Sequence, residues 1–481
     1  MSLLFIHNQH SVLNQDFYLS LAGKLYLKKN FSSVFLFWKN SEINHIFKSN
    51  KINAFSFEKF YKDYNKQKKN SIEQFINKYP QINWSQIISS ERSFSDYSML
   101  LGASGNRKES FEYIQNLIIN ITEFLSLHMK NKKAIICQTS DTLISYIAIK
   151  LAQHYCIKAF IINPCLFYED KMGAGFYAND EYLHSNLMIK KYNELNNYKF
   201  TKKDLLRIDH IKNRILDFKN KDDLIKKNKG SNPGINAITP KFDTIFSYII
   251  KNLKEDKNIF YTKIDPLKKI KANILRLYRK KINKYLRVYG EKNIKNIPKK
   301  NIFFAMHFQP EQSTLTQGNW YLNQVALIEN ISKSLPLNYT LIVKEHPWGR
   351  GTRPTWQYKY ISNFHNVLFC DAPSKDIIKQ TQAVLTISGS IVFEAMVLDK
   401  PIIMFGDNFF DFSKLIYKVE NVKDLPVIFN TVLIKKNLLS KNKRNNELNK
   451  FILSYIRSLI TGFPITENVV FWADALIDEL K

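Results

Sequence analysis

The sequence predicts an α/β protein with two doubly wound parallel sheets. Short apolar runs typical of strands alternate with amphipathic runs typical of helices over residues 1–217, and the same alternation resumes at residue 301. Strands that are separated by helices pair in parallel through crossover connections. The chain has 481 residues, 45% of them apolar and 14% aromatic, which is sufficient for two or three domains with buried cores.

In the first segment, residues 1–217, four apolar runs predict strands: SLLFIH, SVFLFW, KAIICQTS and IKAFIINPCLF. The runs ESFEYIQNLIINITEFLSLHM and TLISYIAIKLAQHY have the periodicity of amphipathic helices. Ser140 and Asp141 precede the second helix and form a favourable N-cap pair. We therefore expect one α/β domain over residues 1–217.

Residues 218–300 have a different character and predict a basic linker. KKNKGSNPGINAITP is a polar loop, and PLKKIKANILRLYRKKINKYLRVYG predicts a basic amphipathic helix. Ile274, Tyr278, Ile282, Leu286 and Tyr289 can share one face of this helix. The helix can pack on its own protein and expose a solvated basic face, it can contact an anionic membrane surface, and both can hold together.

The segment 301–435 contains five strand-like runs, NIFFAMHF, YTLIVKEH, NVLFCD, AVLTIS and PIIMFG, with helix-like runs between them. This regular alternation predicts a second doubly wound domain. Residues 436–481 predict a mostly helical tail.

The net charge of +29, from 71 basic and 42 acidic residues, indicates an anionic partner such as nucleic acid, lipid head groups or a charged substrate. Only 11 of the basic residues are arginine, and a genome rich in A/T codons would also enrich lysine. The chain has no RRM, zinc-finger or helix-turn-helix signature, so a non-catalytic nucleic-acid-binding protein is the least favoured class.

The four cysteines form no CxxC pair, which indicates a reducing compartment with no disulfide framework and no zinc site. The N-terminus lacks the basic region of a signal peptide, and no run of about 18 apolar residues predicts a membrane span. We expect a soluble, cytoplasmic protein without a metal or a resident cofactor.

Polar groups follow four of the five strands in the second domain. They are HFQPE at 307–311, KEHP at 344–347, SGS at 388–390 and GDN at 406–408. The carboxyl ends of parallel strands meet at one edge of a sheet, where ligands of such sheets bind. We therefore predict that these tips converge on one pocket that holds a nucleotide phosphate. Neither a GxxxxGK[ST] loop nor a GxGxxG fingerprint is present.

The turn SGSIVFEA has the composition of an anion site. Its small residues let backbone N–H groups approach an anion at the helix N-terminus, and Ser388 and Ser390 add hydroxyl donors. Glu394 lies one turn beyond Ser390 on the same face, where a carboxylate can accept hydrogen bonds from ribose. The alternative is a simple capped helix whose glutamate complements the helix dipole.

Together, HFQPE, KEHP and SGSIVFEAMVLDKPIIMFG resemble the bacterial capsule polysaccharide biosynthesis family, which includes Kdo transferases. The resemblance covers residues 301–410. It implies a GT-B fold, in which two Rossmann-like domains face each other across a cleft. The N-terminal domain (1–217) would serve the acceptor, and the C-terminal domain (301–435) would bind a nucleotide-sugar, CMP-linked for Kdo.

The resemblance also implies roles for single residues. His346 would act in catalysis and border the nucleotide together with Pro347. The remaining donor contacts are assigned to Lys344, Ser388, Gly389 and Ser390 at the phosphate, Glu394 at the ribose, and Gln309 and Pro310 at the donor sugar.

An acceptor hydroxyl also needs a base, which relatives supply from an acidic pair followed by glycine in the N-terminal domain. The matching place here reads FYEDKMGAG, so Glu169 and Asp170 are the first candidates, although Lys171-Met172 separates them from the glycine. Asp141 and His10 are alternatives. Arg92 is a candidate for meeting an anionic sugar or a lipid phosphate.

The resulting hypothesis is an inverting, metal-independent glycosyltransferase that adds Kdo or a similar acidic sugar to a capsule or other surface glycan or glycolipid. It would be peripheral on the inner face of the cytoplasmic membrane, and other capsule assembly proteins remain open as partners. A teichoic-acid-type polyol-phosphate transferase that uses a CDP-alcohol is the alternative enzyme. An inactive scaffold and an anion- or nucleic-acid-binding protein are the alternatives without catalysis.

Overall fold

The structure is a computed structural model that describes residues 2–7, 15–39, 43, 53–64, 72–94, 110–165, 167–169, 173–217, 266–436, 438–464 and 469–481. Its strands are β1 (Ser2–Ile6), β2 (Ser32–Phe37), β3 (Asn53–Ser56), β4 (Ala134–Cys137), β5 (Lys158–Pro164), β6 (Ala174–Ala178), β7 (Asn301–Ala305), β8 (Thr340–Lys344), β9 (Val367–Phe369), β10 (Val384–Thr386), β11 (Ile402–Met404), β12 (Ile416–Lys418) and β13 (Ile460–Thr461).

The α-helices are α1 (Gln15–Lys29), α2 (Phe57–Tyr64), α3 (Ile72–Lys78), α4 (Trp84–Ser90), α5 (Phe111–Met129), α6 (Leu143–His154), α7 (Asn186–Glu194), α8 (Lys202–Asp217), α9 (Pro266–Tyr285), α10 (Gln312–Leu315), α11 (Gln324–Ser334), α12 (Thr355–Ser362), α13 (Ser374–Gln380), α14 (Ile391–Val397), α15 (Leu425–Phe429), α16 (Lys441–Ser458) and α17 (Val469–Leu480). None of these helices, within the described chain, has the length and apolar character that crossing a membrane requires.

The first sheet has the strand order β13-β6-β5-β4-β1-β2-β3. Strands β1 to β5 pair in parallel, while β6 and β13 add antiparallel edges. The four strands that the sequence predicted in this segment are confirmed as β1, β2, β4 and β5. The predicted N-cap is wrong: Thr142 caps α6 by accepting a hydrogen bond from the Ser145 N–H at 3.4 Å, because Asp141 pairs with Arg92 instead.

The second sheet is entirely parallel, with the order β12-β11-β10-β7-β8-β9. Counted along the chain, this is the 3-2-1-4-5-6 order of Rossmann sheets. The five predicted strands are confirmed, and β12 extends the sheet by one. Strands β8 and β11 are apolar along their buried lengths, and β10 is apolar except for the buried Thr386, as expected of strands that helices cover on both faces. The prediction of two Rossmann-like α/β sheets is therefore confirmed.

The chain forms two compact units whose limits differ from the predicted domains. Among the described residues, the first unit contains those up to Phe94, those from 110 to Tyr198, and those from Ser454 onward; the second unit contains Lys199–Leu453. The boundary predicted at 217 is thus corrected, because α8 contacts α14 within the second unit. The linker predicted at 218–300 is not separate either, since its described part, 266–300, belongs to the second unit.

The helical tail predicted at 436–481 is divided between the two units. Its last part completes the first unit, because β13 pairs with β6 and α17 packs on α1. Trp472 and Leu476 of α17 are fully buried in the same core as Phe5 of β1. An apolar helix face of this kind cannot remain a solvent-exposed tail.

The predicted face of the basic helix is also corrected. Helix α9 ends at Tyr285, and Tyr289 lies beyond it, buried in the core of the second unit. Ile274 and Tyr278 are exposed, and the residues that face the unit's own surface are Ala272, Arg276, Arg279 and Asn283. The polar loop predicted before this helix lies outside the described residues.

Candidate functional site

The carboxyl edge of the second sheet brings the predicted strand tips together. The strand order reverses at β7, which pairs with β8 on one side and β10 on the other. The His307 Nε2 atom, after β7, lies 3.4 Å from the backbone nitrogen of Ser388, after β10. The rings of Phe308 and His346, after β7 and β8, are 6.0 Å apart. We call the residues that follow β7, β8, β10 and β11 the second-sheet edge.

A buried ion pair holds the turn that follows β8. The Arg353 Nε donates to Glu345 Oε2 at 2.8 Å, and both side chains are almost completely buried. The same carboxylate oxygen accepts a hydrogen bond from the Tyr358 hydroxyl at 2.7 Å, and Oε1 accepts one from the His346 N–H at 2.8 Å. Glu345 therefore positions His346, a role that the sequence did not suggest. A Cβ at Gly349 would lie 2.4 Å from Glu345 Oε1, so the turn also requires this glycine.

His346 stands where the strand ends, as the sequence predicted. Its Nδ1 accepts a hydrogen bond from the Trp348 N–H at 3.2 Å and caps the 3-10 turn Pro347–Gly349. Because Nδ1 is the acceptor, the neutral ring carries its proton on Nε2. The imidazole is half-buried, and the adjacent Pro347 is exposed.

His307 joins two strand ends and received no role from the sequence. Its backbone is held by Gln324, which bonds both the N–H and the carbonyl, at 2.8 Å and 3.1 Å, and by Arg353, which donates to the carbonyl at 2.9 Å. A Cβ at Gly389 would come within 2.9 Å of His307 Nε2, so the β10 turn packs directly on this ring. The only signal in the sequence was the position of His307 at the end of a strand.

Three predicted ligand residues make hydrogen bonds within the protein. The Gln309 amide donates to the Leu322 carbonyl at 2.7 Å, and the Ser388 hydroxyl donates to the Ser313 carbonyl at 2.7 Å; both side chains are buried. The Lys344 Nζ donates to the Ala372 carbonyl at 2.6 Å and to Ser374 Oγ at 3.2 Å. Burial lowers the pKa of Lys344, with Asp371 opposing that shift.

These contacts give Gln309, Ser388 and Lys344 a part in shaping the edge. The Gly389 N–H also donates internally, to Thr386 Oγ1 at 3.0 Å. Ser390, which directly precedes α14, and Glu394 within it are half-buried; they are the predicted phosphate and ribose contacts. Pro310, the predicted donor-sugar contact, is half-buried next to Gln309. Their assigned ligand roles remain predictions.

Asn408 links the end of β11 to the same turn. Its amide donates to the Ser388 carbonyl at 2.9 Å, and its neighbour Asp407 forms an ion pair with Lys418 at 2.6 Å. All four predicted strand tips are therefore connected at the second-sheet edge.

The first sheet has a comparable edge, where its strand order reverses between β1 and β4. His7 follows β1 and Gln138 follows β4, one residue beyond the paired positions Ile6 and Cys137. Both side chains are buried, and within the described chain neither the His7 ring nitrogens nor the Gln138 amide has a hydrogen-bond partner. We call His7 and Gln138 the first-sheet edge. The sequence could have marked them by the rule applied to the second domain, as polar residues directly after apolar strands.

The predicted acceptor-side residues are only partly described. Glu169 is half-buried between β5 and β6, whereas Asp170 and His10 lie outside the described residues. Asp141 forms an ion pair with Arg92 and accepts a hydrogen bond from Thr139. In the described part of the chain, no cluster of three His, Cys, Asp or Glu side chains could hold a metal ion.

The second unit therefore has a Rossmann-type sheet whose polar tips meet where nucleotides bind in this fold class. Residues 239–422 match the family described as capsule polysaccharide biosynthesis protein. The three motifs that carried the predicted resemblance all lie within that segment, so the resemblance is confirmed there. The match covers less than half of the chain and relates the second unit to capsule polysaccharide biosynthesis.

No curated protein matches the sequence. Among solved structures, the beta Kdo 2,4 transferase KpsC of Thermosulfurimonas dismutans is 11% identical, over 68% of this chain and 80% of that one, with a TM-score of 0.31. The beta Kdo 2,7 transferase KpsC of the same organism is 11% identical, over 83% and 97%, with a TM-score of 0.32. Anabaena HepE in complex with UDP-glucose is 8% identical over the full length of both chains, with a TM-score of 0.29. Similarity at this level is too low to support an inference about this chain.

Proposed function

We propose that this protein is a glycosyltransferase that uses a nucleotide-sugar donor in the synthesis of a capsule or another surface glycan. The observation that carries the proposal is the convergence of four polar strand tips where the order of a 3-2-1-4-5-6 sheet reverses, inside the segment that matches the capsule family. A nucleotide diphosphate or monophosphate is the ligand chemistry that such an edge accommodates.

The chemical requirement is to stabilise the phosphate that leaves the sugar. In this proposal, the Nε2–H of His346 donates to a phosphate oxygen, in a position fixed by the bond from the Trp348 N–H and by Glu345. Ser390 contributes its hydroxyl at the start of α14, and Glu394, one turn further along, accepts bonds from the ribose. Pre-positioned donors of this kind require little reorganisation during the reaction.

The finer assignments belong to the same proposal. The donor is a CMP-linked acidic sugar such as Kdo, and the transfer is inverting, independent of metal, and independent of a resident cofactor. The base that deprotonates the acceptor hydroxyl is assigned to Glu169 or Asp170. The acceptor is a glycan or glycolipid at the inner face of the cytoplasmic membrane. An anionic membrane surface is a partner that the net charge of +29 would favour.

The experiment is incubation of the full-length protein with CMP-, CDP- and UDP-linked donors, monitored by nucleotide release and by the shift in melting temperature. Release of CMP from a CMP-sugar, together with stabilisation by CMP, is the expected result. Transfer of an intact phosphoalcohol from a CDP-alcohol would identify a polyol-phosphate transferase instead. No stabilisation by any nucleotide, combined with steeply salt-dependent binding to nucleic acid, would contradict both enzymatic proposals.

A further inference from the structure

Helix α9 packs on its own unit through a face that contains two arginines and an asparagine. Ala272, Arg276, Arg279 and Asn283 recur at intervals of three and four residues and form one face. The Arg276 Nη2 donates to the Trp348 carbonyl at 2.9 Å, and the Arg279 Nη1 donates to the Thr352 carbonyl at 3.0 Å. The Asn283 side chain is fully buried. These bonds fix α9 against the segment that follows His346.

The opposite face of α9 is apolar and exposed. Leu267, Ile274, Tyr278 and Tyr285 lie on one stripe, and their exposed fractions are 78%, 63%, 61% and 85%. A helix on a globular domain normally turns such a stripe toward the core. Here the core-side positions are taken by arginine and asparagine, so the apolar stripe is directed away from the second unit. A grouped exposed apolar surface of this kind marks an interaction site.

The charge around the stripe indicates which partner it fits. Residues 266–290 contain six lysines and three arginines and no acidic residue. Lys271 and Lys281 lie on the same side of the helix as Ile274 and Tyr278, and both are exposed. An anionic lipid surface complements both properties, because lysine is attracted to the head groups while tyrosine and isoleucine enter the interface. A second copy of the chain would bring an identical cationic face, which would repel.

We propose that the α9 lipid face, formed by Leu267, Ile274, Tyr278 and Tyr285 with the exposed lysines beside them, binds an anionic bilayer surface with the helix lying in the plane of the membrane. The contact would hold the turn after His346 close to the bilayer, because Arg276 and Arg279 bind that turn. The purpose of the contact, access to a lipid-linked acceptor, rests on the proposed function.

The test is cosedimentation of the full-length protein with phosphatidylcholine vesicles, with and without phosphatidylglycerol. The wild-type protein should bind only vesicles that contain phosphatidylglycerol. The double variant Ile274→Ser/Tyr278→Ser, which leaves the charge unchanged, should partition at least about tenfold more weakly. The matched control Leu206→Ser/Leu337→Ser removes two leucines elsewhere in the second unit that are even more exposed than Ile274 and Tyr278, and it should bind like the wild type.

A second pair of substitutions tests the charge component independently. Lys271→Gln/Lys281→Gln should weaken binding by about fivefold for each lysine and should reduce its dependence on salt. Because all six substituted side chains in these three double variants are exposed, the melting temperatures should stay at the wild-type value.

Three results would overturn the proposal: no binding of the wild type to either vesicle, full binding by the serine pair, or a lipid-free oligomer that the serine pair dissociates.

Nucleotide-induced stabilisation, measured on the same samples, distinguishes a failure of the lipid-binding proposal from a failure of the proposed glycosyltransferase function. Loss of vesicle binding with retained stabilisation would reject only the lipid face, whereas vesicle binding without stabilisation would reject only the donor site.

Discussion

The two sheets have equivalent edges, at the carboxyl ends of their parallel strands, that differ in how many of their buried polar groups are hydrogen-bonded. At the second-sheet edge, Glu345, Arg353 and Gln324 bond to the backbone or side chains of the residues that border the edge. One buried acceptor there, the Gln309 Oε1, has no hydrogen-bond partner among the described residues. At the first-sheet edge, His7 and Gln138 are buried, and the described chain offers them no hydrogen-bond partner. A connected network fixes one geometry, while an unpartnered buried polar group costs about 1–3 kcal/mol. The second-sheet edge is thus organised before a ligand arrives, and the first-sheet edge gains stability when a hydroxyl or water reaches it.

The largest expected effect comes from breaking the network at the second-sheet edge. Arg353→Met leaves the Glu345 carboxylate buried without its cation and removes a hydrogen bond to the His307 carbonyl. The free energy of unfolding of the second unit should fall by about 3–5 kcal/mol, measured by urea denaturation.

An exposed ion pair in the same unit provides the control for this substitution. Lys379→Met removes the cation that faces Asp376 at 3.9 Å, where both side chains are largely in solvent, and should cost less than about 1 kcal/mol. Adding Glu345→Gln to Arg353→Met should recover part of the loss, since no unpaired charge then remains buried. If Arg353→Met cost as little as Lys379→Met, the second-sheet edge would not depend on its ion pair.

The next prediction separates the structural role of His346, as the cap of the turn after β8, from its proposed role as a hydrogen-bond donor to the phosphate. His346→Asn keeps an acceptor for the Trp348 N–H but removes the imidazole Nε2–H, whereas His346→Ala removes both. Both variants should lower the rate of transfer by about 10²- to 10³-fold, the usual cost of one donor to a developing anion. The Asn variant should melt like the wild type. Transfer at the wild-type rate by a normally folded Asn variant would remove His346 from the donor site.

The first-sheet edge should make stability depend on pH through His7. Burial lowers the pKa of His7 from 6.5 to about 4. The unfolded chain therefore takes up a proton at His7 near pH 6.5, while the folded chain does not. The contribution of neutral His7 to the free energy of unfolding is fully present above that pH and is lost as the pH falls toward 4. The loss should be on the order of 3 kcal/mol in the first unit, and His7→Phe should abolish this component.

The neighbouring position provides a non-titrating control for the His7 prediction. Gln138→Leu alters the same edge without a titratable group, so it should shift stability by a constant amount between pH 7 and pH 4. His128, whose pKa burial also lowers to about 4, is present in every variant and cancels in the comparison. An unchanged pH profile in His7→Phe would show that His7 is solvated in the folded protein.

The sequence predicted the second-sheet edge because local patterns determine it. Buried parallel strands are short apolar runs. The polar tip KEHP begins at the last residue of β8, and SGS follows β10 after one intervening residue. The same logic identified five of the six strands, but β12 was missed because its three residues, Ile416–Lys418, are only half-buried and carry no apolar run.

Features that depend on tertiary contacts could not be predicted from local sequence patterns. Nothing local shows that Glu345 and Arg353, two charged residues in one loop, are buried against each other. Periodicity predicts that α9 has two different faces but does not indicate which one packs on the protein. The polar face packs there because its side chains donate hydrogen bonds to backbone carbonyl groups of the segment 348–353. The antiparallel pairing of β13 with β6 joins segments far apart in the chain.

The smallest effect tests how tightly the second-sheet edge is packed. Gly349→Ala would place a Cβ 2.4 Å from Glu345 Oε1, and the carboxylate cannot withdraw without weakening its bonds to Arg353 and Tyr358. We expect a loss of about 1–3 kcal/mol in the unfolding free energy of the second unit, together with weaker nucleotide-induced stabilisation. Gly23→Ala is the matched control, because nothing lies within 4 Å of the added Cβ in α1, and alanine should stabilise that helix by up to about 1 kcal/mol. Equal tolerance of both substitutions would mean that the turn after β8 adapts, and the contrast between a preassembled and an incomplete edge would then no longer hold.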